Sequence, residues 1–262
     1  MAGVAAGGKQ VLLLWDVDQT LIENSEVTRA VYARAFRLLT GHPPRVQPGT
    51  DGRTDPEIVR NLFAANDAEF TAADQAGYQQ ALIEAMAELH PQFIRDGAPL
   101  PGVLAALTAV SRIPGVVQSV LTGNIRPNAE AKLALLGEHA AVLDLDVGGY
   151  GSDDSRRPRL VGAAQRKAAR KYGVAFGPAS TVLVGDTELD VAAALEGGAL
   201  VIAVATGVRT AEQLRHAGAH AVLPDLVDTA GFVALLRALT GLELSSPGPD
   251  PIPGTGRGWP PS

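Results

Sequence analysis

The chain has 262 residues, 46% of them hydrophobic, a net charge of −6 and no cysteine. That length and apolar content can fill one core domain with a smaller insertion, and the acidic balance argues against a nucleic-acid or anionic-membrane surface as the main partner, local basic patches aside. Without cysteine there is no disulfide framework, thiolate zinc site or cysteine nucleophile.

The N-terminal MAGVAAGGKQ is built of small residues, and the apolar run VLLLW (11–15) that follows ends at Asp16. So short a run fits neither a signal-peptide core nor a membrane span, and a cytoplasmic protein with no membrane partner is expected. The run itself reads as a buried strand. From about 23 to 99 no strand pattern follows; Tyr32, Ala35, Phe36 and Leu39, then Leu82, Met86 and Leu89, recur at helical spacing. Too long for one crossover and too apolar for a loop, residues 23–99 are expected to form a helical subdomain inserted after the first strand. Beyond it, apolar runs at 116–121, 141–147, 180–186 and 199–205 alternate with helical patterns such as Leu160, Ala163, Ala164 and Ala168, or Phe232, Leu235, Leu236 and Leu239. Near-continuous apolar strands alternating with helices predict an α/β core, a doubly wound parallel sheet, over residues 10–22 and 100–242. Residues 243–262, dense in Pro, Gly and Ser, read as a disordered tail.

Four strand ends carry conspicuous polar residues: Asp16 and Asp18; Thr122, Gly123 and Asn124; the run GGYGSDDSRRPR; and Asp186 and Asp190. In an open parallel sheet ligands bind at the carboxyl ends of the strands, so these groups converge. Asp16 and Asp18 alternate along a strand and face the same way, which costs energy unless a cation or substrate offsets it; taken alone, Asp18 or Thr20 could equally cap a helix. Hard carboxylate oxygens without His or Cys nearby suit Mg²⁺. One carboxylate can attack phosphorus to give an aspartyl-phosphate, and a second can shuttle the proton. The five histidines show no ligand spacing.

DVDQT, LTGN and GDTELD, in this order and with a helical insertion after the first, resemble the haloacid dehalogenase superfamily, in particular its phosphoglycolate-phosphatase-like members with a helical cap. The resemblance spans roughly Val11 to Leu239. It implies Asp16 as nucleophile, Asp18 as general acid/base, and a Mg²⁺ held by Asp16, the Asp18 main-chain carbonyl and Asp186, with Asp190 supporting the metal site. It also implies that Thr122 hydrogen-bonds the phosphoryl oxygens, with Gln19, Gly123 and Asn124 on the phosphate-binding loops. Two departures stand out. The first motif has Gln19 where the superfamily has Gly, and the third motif lacks an obvious Lys. Lys167, Arg170 and Lys171 lie far along the following helix, about 15 Å or more from the site. Arg156, Arg157 and Arg159 flank Pro158 at the helix start, and similarity to a branch with GSDD followed by Arg selects Arg157; pairing of this basic start with Asp153 or Asp154 is the alternative.

In the insertion, PGTDGRTDPEIV (48–59) offers Arg53 to an anionic leaving group, although Thr54 or Asp55 could simply cap a helix beginning near Pro56. The resemblance thus implies a Mg²⁺-dependent hydrolase of small organic phosphomonoesters, monomer or homodimer, with no nucleic-acid partner. Alternatives are a phosphosugar mutase, a dehalogenase, against which Asp18 argues, and a non-catalytic ligand-binding protein of the same fold.

Overall fold

The computed structural model describes residues 10–242 apart from 24 and 48; the segment expected to be a tail lies outside the described residues. The five apolar residues of β1 (Val11–Trp15) are all fully buried. Val11, Leu13 and Trp15 enter one apolar cluster, Leu12 and Leu14 another. A strand whose alternate residues feed two cores must have helices on both faces.

That is the arrangement found. The sheet runs β5-β4-β1-β6-β7-β8, formed by β4 (Val116–Thr122), β5 (Gly149–Tyr150), β6 (Thr181–Gly185), β7 (Leu200–Val204) and β8 (Ala221–Leu223) around β1, every pairing parallel. On one face lie α4 (Val103–Ser111), α5 (Arg126–Leu133) and α9 (Thr229–Thr240); on the other, α6 (Arg157–Tyr172), α7 (Glu188–Gly197) and α8 (Ala211–His216). This is the doubly wound α/β fold expected.

The strand expected at 141–147 is not one. Residues 134–142 and 145–147 form 3₁₀ turns, and the edge strand β5 comes only at Gly149–Tyr150. The Leu-Asp alternation mimics a strand, but the Asp144 carboxylate accepts from the Asp146 amide, and Lys171 and Tyr172 bind it as well. Local side-chain bonding of this kind competes with a ladder.

The insertion is rooted in a two-residue antiparallel pair, β2 (Ile22–Glu23) with β3 (Ala98–Pro99), which brings its two connections side by side. Between them come α1 (Ser25–Thr40), α2 (Asp55–Ala65) and α3 (Ala72–Asp96). Their apolar faces meet in a separate cluster containing Phe36, Phe63, Leu82 and Met86, with the Phe36 and Phe63 rings edge to face at 5.1 Å. Ile125, just before α5, is the core residue that completes it. Among the described residues no helix is long and apolar enough to cross a membrane.

Candidate active site

The chain leaves β1 into a tight loop. Asp16 N still bonds the Val184 carbonyl (2.8 Å), continuing the ladder, while Leu21 N and Ile22 N both turn back to the Val17 carbonyl. Gln19 closes the turn at φ +61°. This left-handed backbone costs a residue with a Cβ about 1 to 2 kcal/mol, which explains physically why Gly suits the position. Gln19 is held there by its own amide on the Ile22 carbonyl and by the Thr206 hydroxyl on its carbonyl.

Each neighbouring strand end adds a group. At the end of β4, Thr122 is buried, and its Oγ1 accepts from Asn124 N (3.2 Å) and Asn124 Nδ2 (2.7 Å). At the start of α6, which begins at Arg157 itself with Arg156 as its extended cap, the Arg157 side chain turns inward. Its Nη2 donates to Asp16 Oδ1 (2.5 Å) and Asp190 Oδ1 (2.6 Å), and its Nε to Asp190 Oδ1 (3.0 Å). The other candidate cations are elsewhere: Arg159 pairs with Asp154, Lys167 with Asp153, and Lys171 with Asp144 and Asp146. At the end of β6, Asp186 Oδ1 accepts from Thr20 Oγ1 (3.2 Å). Thr187 caps α7 in a reciprocal box with Asp190, whose Oδ2 takes both the Thr187 amide and its hydroxyl.

Oxygens of Asp16, Asp186 and Asp190 all lie within 4.8 Å of one another, and all three residues are buried. Desolvation pushes the Asp16 carboxyl up to about 8, reinforced by the charge of Asp190 and opposed by Arg157. Burial and the Asp16 charge likewise raise Asp186 well above the carboxylate range. Asp18 goes the other way. Burial acts to raise it, but the Lys132 ammonium outweighs that, helped by Asn124, and the net effect is a lowered pKa. Two carboxylates two residues apart are thus driven in opposite directions: in the metal-free site a proton favours Asp16, where a bound cation would displace it, and Asp18 favours its ionised form.

Asp16, Asp18, Thr122, Arg157 and Asp186, with Tyr32 of α1 and residues 50–53 of the insertion, line a cavity of about 50 Å³. Arg53 lines it, held by Glu57 Oε1 (3.0 Å) and the Gly49 carbonyl (3.1 Å), with its side chain 37% exposed. Thr54 occupies the cap position of α2 but makes no side-chain cap; its hydroxyl donates to the Ser155 carbonyl at 2.7 Å. Asp55 is buried instead of capping, and accepts from Tyr32 Oη (2.6 Å) and Ile125 N (2.8 Å).

The family model described as haloacid dehalogenase-like hydrolase matches residues 13–195. The chain belongs to that family. No curated protein matches it. Solved structures similar in fold include a hydrolase from Pseudomonas syringae (19% identity, TM-score 0.64, covering 87% of this chain and 99% of that one). A predicted phosphatase from Clostridium acetobutylicum (16%, 0.63, 87% and 100%) and CbbY from Rhodobacter sphaeroides in complex with phosphate (20%, 0.61, 84% and 96%) are also similar.

Hydrolases of this family generally use a divalent metal, and the donor set fits one. Three buried carboxylates face the single guanidinium of Arg157, an excess of negative charge that a hard cation would neutralise. The three are not equivalent. Both Asp190 oxygens are taken by Arg157 and Thr187, whereas among the described residues Arg157 donates to one oxygen of Asp16 and Thr20 to one oxygen of Asp186.

Sequence reading overlooked Lys132. Its Nζ donates to both Asp18 oxygens, at 2.7 and 2.8 Å, across 114 residues of chain. A signal existed: Ala129, Leu133 and Leu136 form a buried stripe, and Lys132 sits within it. A lysine on the apolar side of a helix needs a partner.

Proposed function

We propose that this hydrolase is a Mg²⁺-dependent phosphatase of small organic phosphomonoesters, phosphoglycolate-like in class, acting through an aspartyl-phosphate on Asp16. The observation that carries the reading is the divided environment of the two acids: Asp16 against Arg157 and the carboxylates of β6 and α7, Asp18 against Lys132 and Asn124.

Asp16, Asp186 and the Asp18 carbonyl would hold the Mg²⁺, with Asp190 fixing Arg157 and the α7 turn behind them. Bound there, the metal would neutralise charge on the phosphoryl group so that an anionic nucleophile can approach. Thr122 and the backbone amides of Gln19 and Gly123 would bind the phosphoryl oxygens, beside Asn124. An Asp16 oxygen attacks phosphorus as the ester P–O bond breaks. Asp18, having taken up a proton as the ester binds, passes it to the leaving oxygen. A water then attacks the phosphorylated Asp16, gives its proton to Asp18, and inorganic phosphate leaves. Arg157 holds the attacking carboxylate in line, and Arg53 would face the leaving group.

The insertion lines the site through Thr28, Tyr32 and Arg53, and could close over a bound ester to exclude bulk water.

The test is phosphate release from phosphoglycolate, sugar phosphates, nucleoside monophosphates and p-nitrophenyl phosphate, with Mg²⁺ and with EDTA, for wild type beside Asp16→Asn. Metal-dependent release that the substitution abolishes is expected. No release from any ester by folded, Mg²⁺-loaded protein would sink the proposal.

A further inference from the structure

The geometry points to Lys132 as the positioning residue of the acid/base carboxylate: from the last turn of α5 it fixes both oxygens of Asp18, so that Asp18 faces the leaving oxygen and not the nucleophile. The inference rests on the phosphatase reading for what Asp18 does, and deepens it.

Lys132 is 1% exposed. It shares a small pocket with Thr28, Val31, Tyr32, Met86, Asn124 and Asn128, and its side-chain hydrogen bonds go to Asp18 Oδ1 and Oδ2. Burying an ammonium is costly without a close partner, and a buried ion pair is a poor stabiliser compared with apolar residues of similar volume. Stability of the fold alone therefore gives little reason for a lysine at this position.

Its place in the chain does. α5 follows the loop that carries Thr122, Gly123 and Asn124, and Asn124 Nδ2 donates to Asp18 Oδ2 at 2.7 Å. One loop and one helix thus supply the Thr122 hydroxyl and grip Asp18 twice. Arg157, from α6, grips Asp16. Each of the two acids has its own cation, on its own element, and neither cation bridges both. The inserted helices contribute little: Thr28 Oγ1 of α1 stands 3.5 Å from Asp18 Oδ1. With Lys132 removed, one good hydrogen bond, from Asn124, would remain, too few to fix the carboxylate against rotation about its χ angles.

The experiment compares Lys132→Met, Asp18→Asn and the double variant on two esters, phosphoglycolate or a sugar phosphate and p-nitrophenyl phosphate. An alkoxide needs the proton from Asp18 to leave; p-nitrophenolate does not. Lys132→Met is expected to lower kcat/KM on the alkyl ester by ~10- to 100-fold, part of the usual worth of a general acid. On p-nitrophenyl phosphate kcat/KM, which reports phosphoryl transfer and not the later hydrolysis of the aspartyl-phosphate that Asp18 serves for both esters, should fall several-fold at most. In the Asp18→Asn background Lys132→Met should cause no further loss, since residues acting as a unit are non-additive. Equal losses of kcat/KM on both esters, or additive losses in the double variant, would overturn the inference. Crystal structures of wild type and Lys132→Met decide it independently of turnover. A displaced Asp18 carboxylate upholds it even if no ester is hydrolysed, in which case the phosphatase reading alone fails; an unmoved one refutes it.

Discussion

Gly123 meets the main chain of Arg53 so closely that a Cβ on it would collide with the Arg53 carbonyl and the Thr54 Cα. The contact is reinforced alongside, where Asp55 N donates to the Gly123 carbonyl at 2.7 Å. The phosphate loop and the insertion therefore touch backbone to backbone, with no flexible side chain to absorb a change. Gly123→Ala is expected to push the insertion outward by a fraction of an ångström or more, with the protein still folded. Misplacement on that scale can cost ~100-fold, so kcat/KM should fall by about that factor, measured by phosphate release beside a thermal melt.

Asp55 is the second contact across that junction. Burial raises its carboxyl to about 6, against the stabilising hydrogen bonds from Tyr32 and Ile125. A carboxyl whose pKa is higher in the folded state favours folding fully below its unfolded value, and that contribution is lost as pH rises through the folded value. Wild type should therefore lose stability relative to Asp55→Asn between about pH 4 and 6.5, by at most roughly 3 kcal/mol. Denaturant melts of both proteins at pH 4.5 and 7 measure the difference; a constant gap would contradict it.

The parts that run with the chain could be read from it, and the parts that depend on distant meetings could not. β1, β4, β6 and β7 are short apolar runs ended by polar residues, and sheet topology then forces Asp16, Thr122 and Asp186 to one edge. Pro158 marked the helix start that carries Arg156, Arg157 and Arg159, and similarity to a branch with GSDD followed by Arg singled out Arg157 among them. The pairing of Lys132 with Asp18 left only one trace, a lysine in an apolar stripe. Asp55 looked like a helix cap because Asp before Pro usually is one; its partners, Tyr32 and Ile125, come from elements whose packing the local pattern does not encode.

Arg157 is the cation that three buried carboxylates share the space with, and it bonds two of them directly. Removing one partner of a buried charge network leaves the others uncompensated, typically at a cost of 3 to 5 kcal/mol. Arg157→Met is expected to lose on that order in metal-free protein, and less with Mg²⁺ present. Arg157→Lys keeps the charge but not the fork that reaches Asp16 and Asp190 together, so it should retain most of the stability and lose most of the activity. Urea melts with and without Mg²⁺, beside turnover, separate the two effects.

Metal removal should show itself in a pH dependence that metal addition erases. In the metal-free protein the Asp16 carboxyl is pushed up to about 8 and Asp186 well above the ordinary carboxylate range, chiefly by burial and then by the neighbouring acids. Because these pKa values are raised on folding, the stability they contribute is present at low pH and is lost as pH rises through about 8. A divalent cation takes the place of the protons, so binding releases them and is favoured by high pH. EDTA-treated protein should melt at progressively lower temperature from pH 6 to 9, while protein in millimolar Mg²⁺ should hold its Tm across that range. Tm should also rise with Mg²⁺ concentration, as ligand binding to the folded state alone requires. Asp186→Asn removes one of the crowded charges along with a ligand, so it should flatten the metal-free pH profile and abolish the Mg²⁺ response together. A variant that lost only one of the two would show that the acid cluster and the metal site are not the same group of residues.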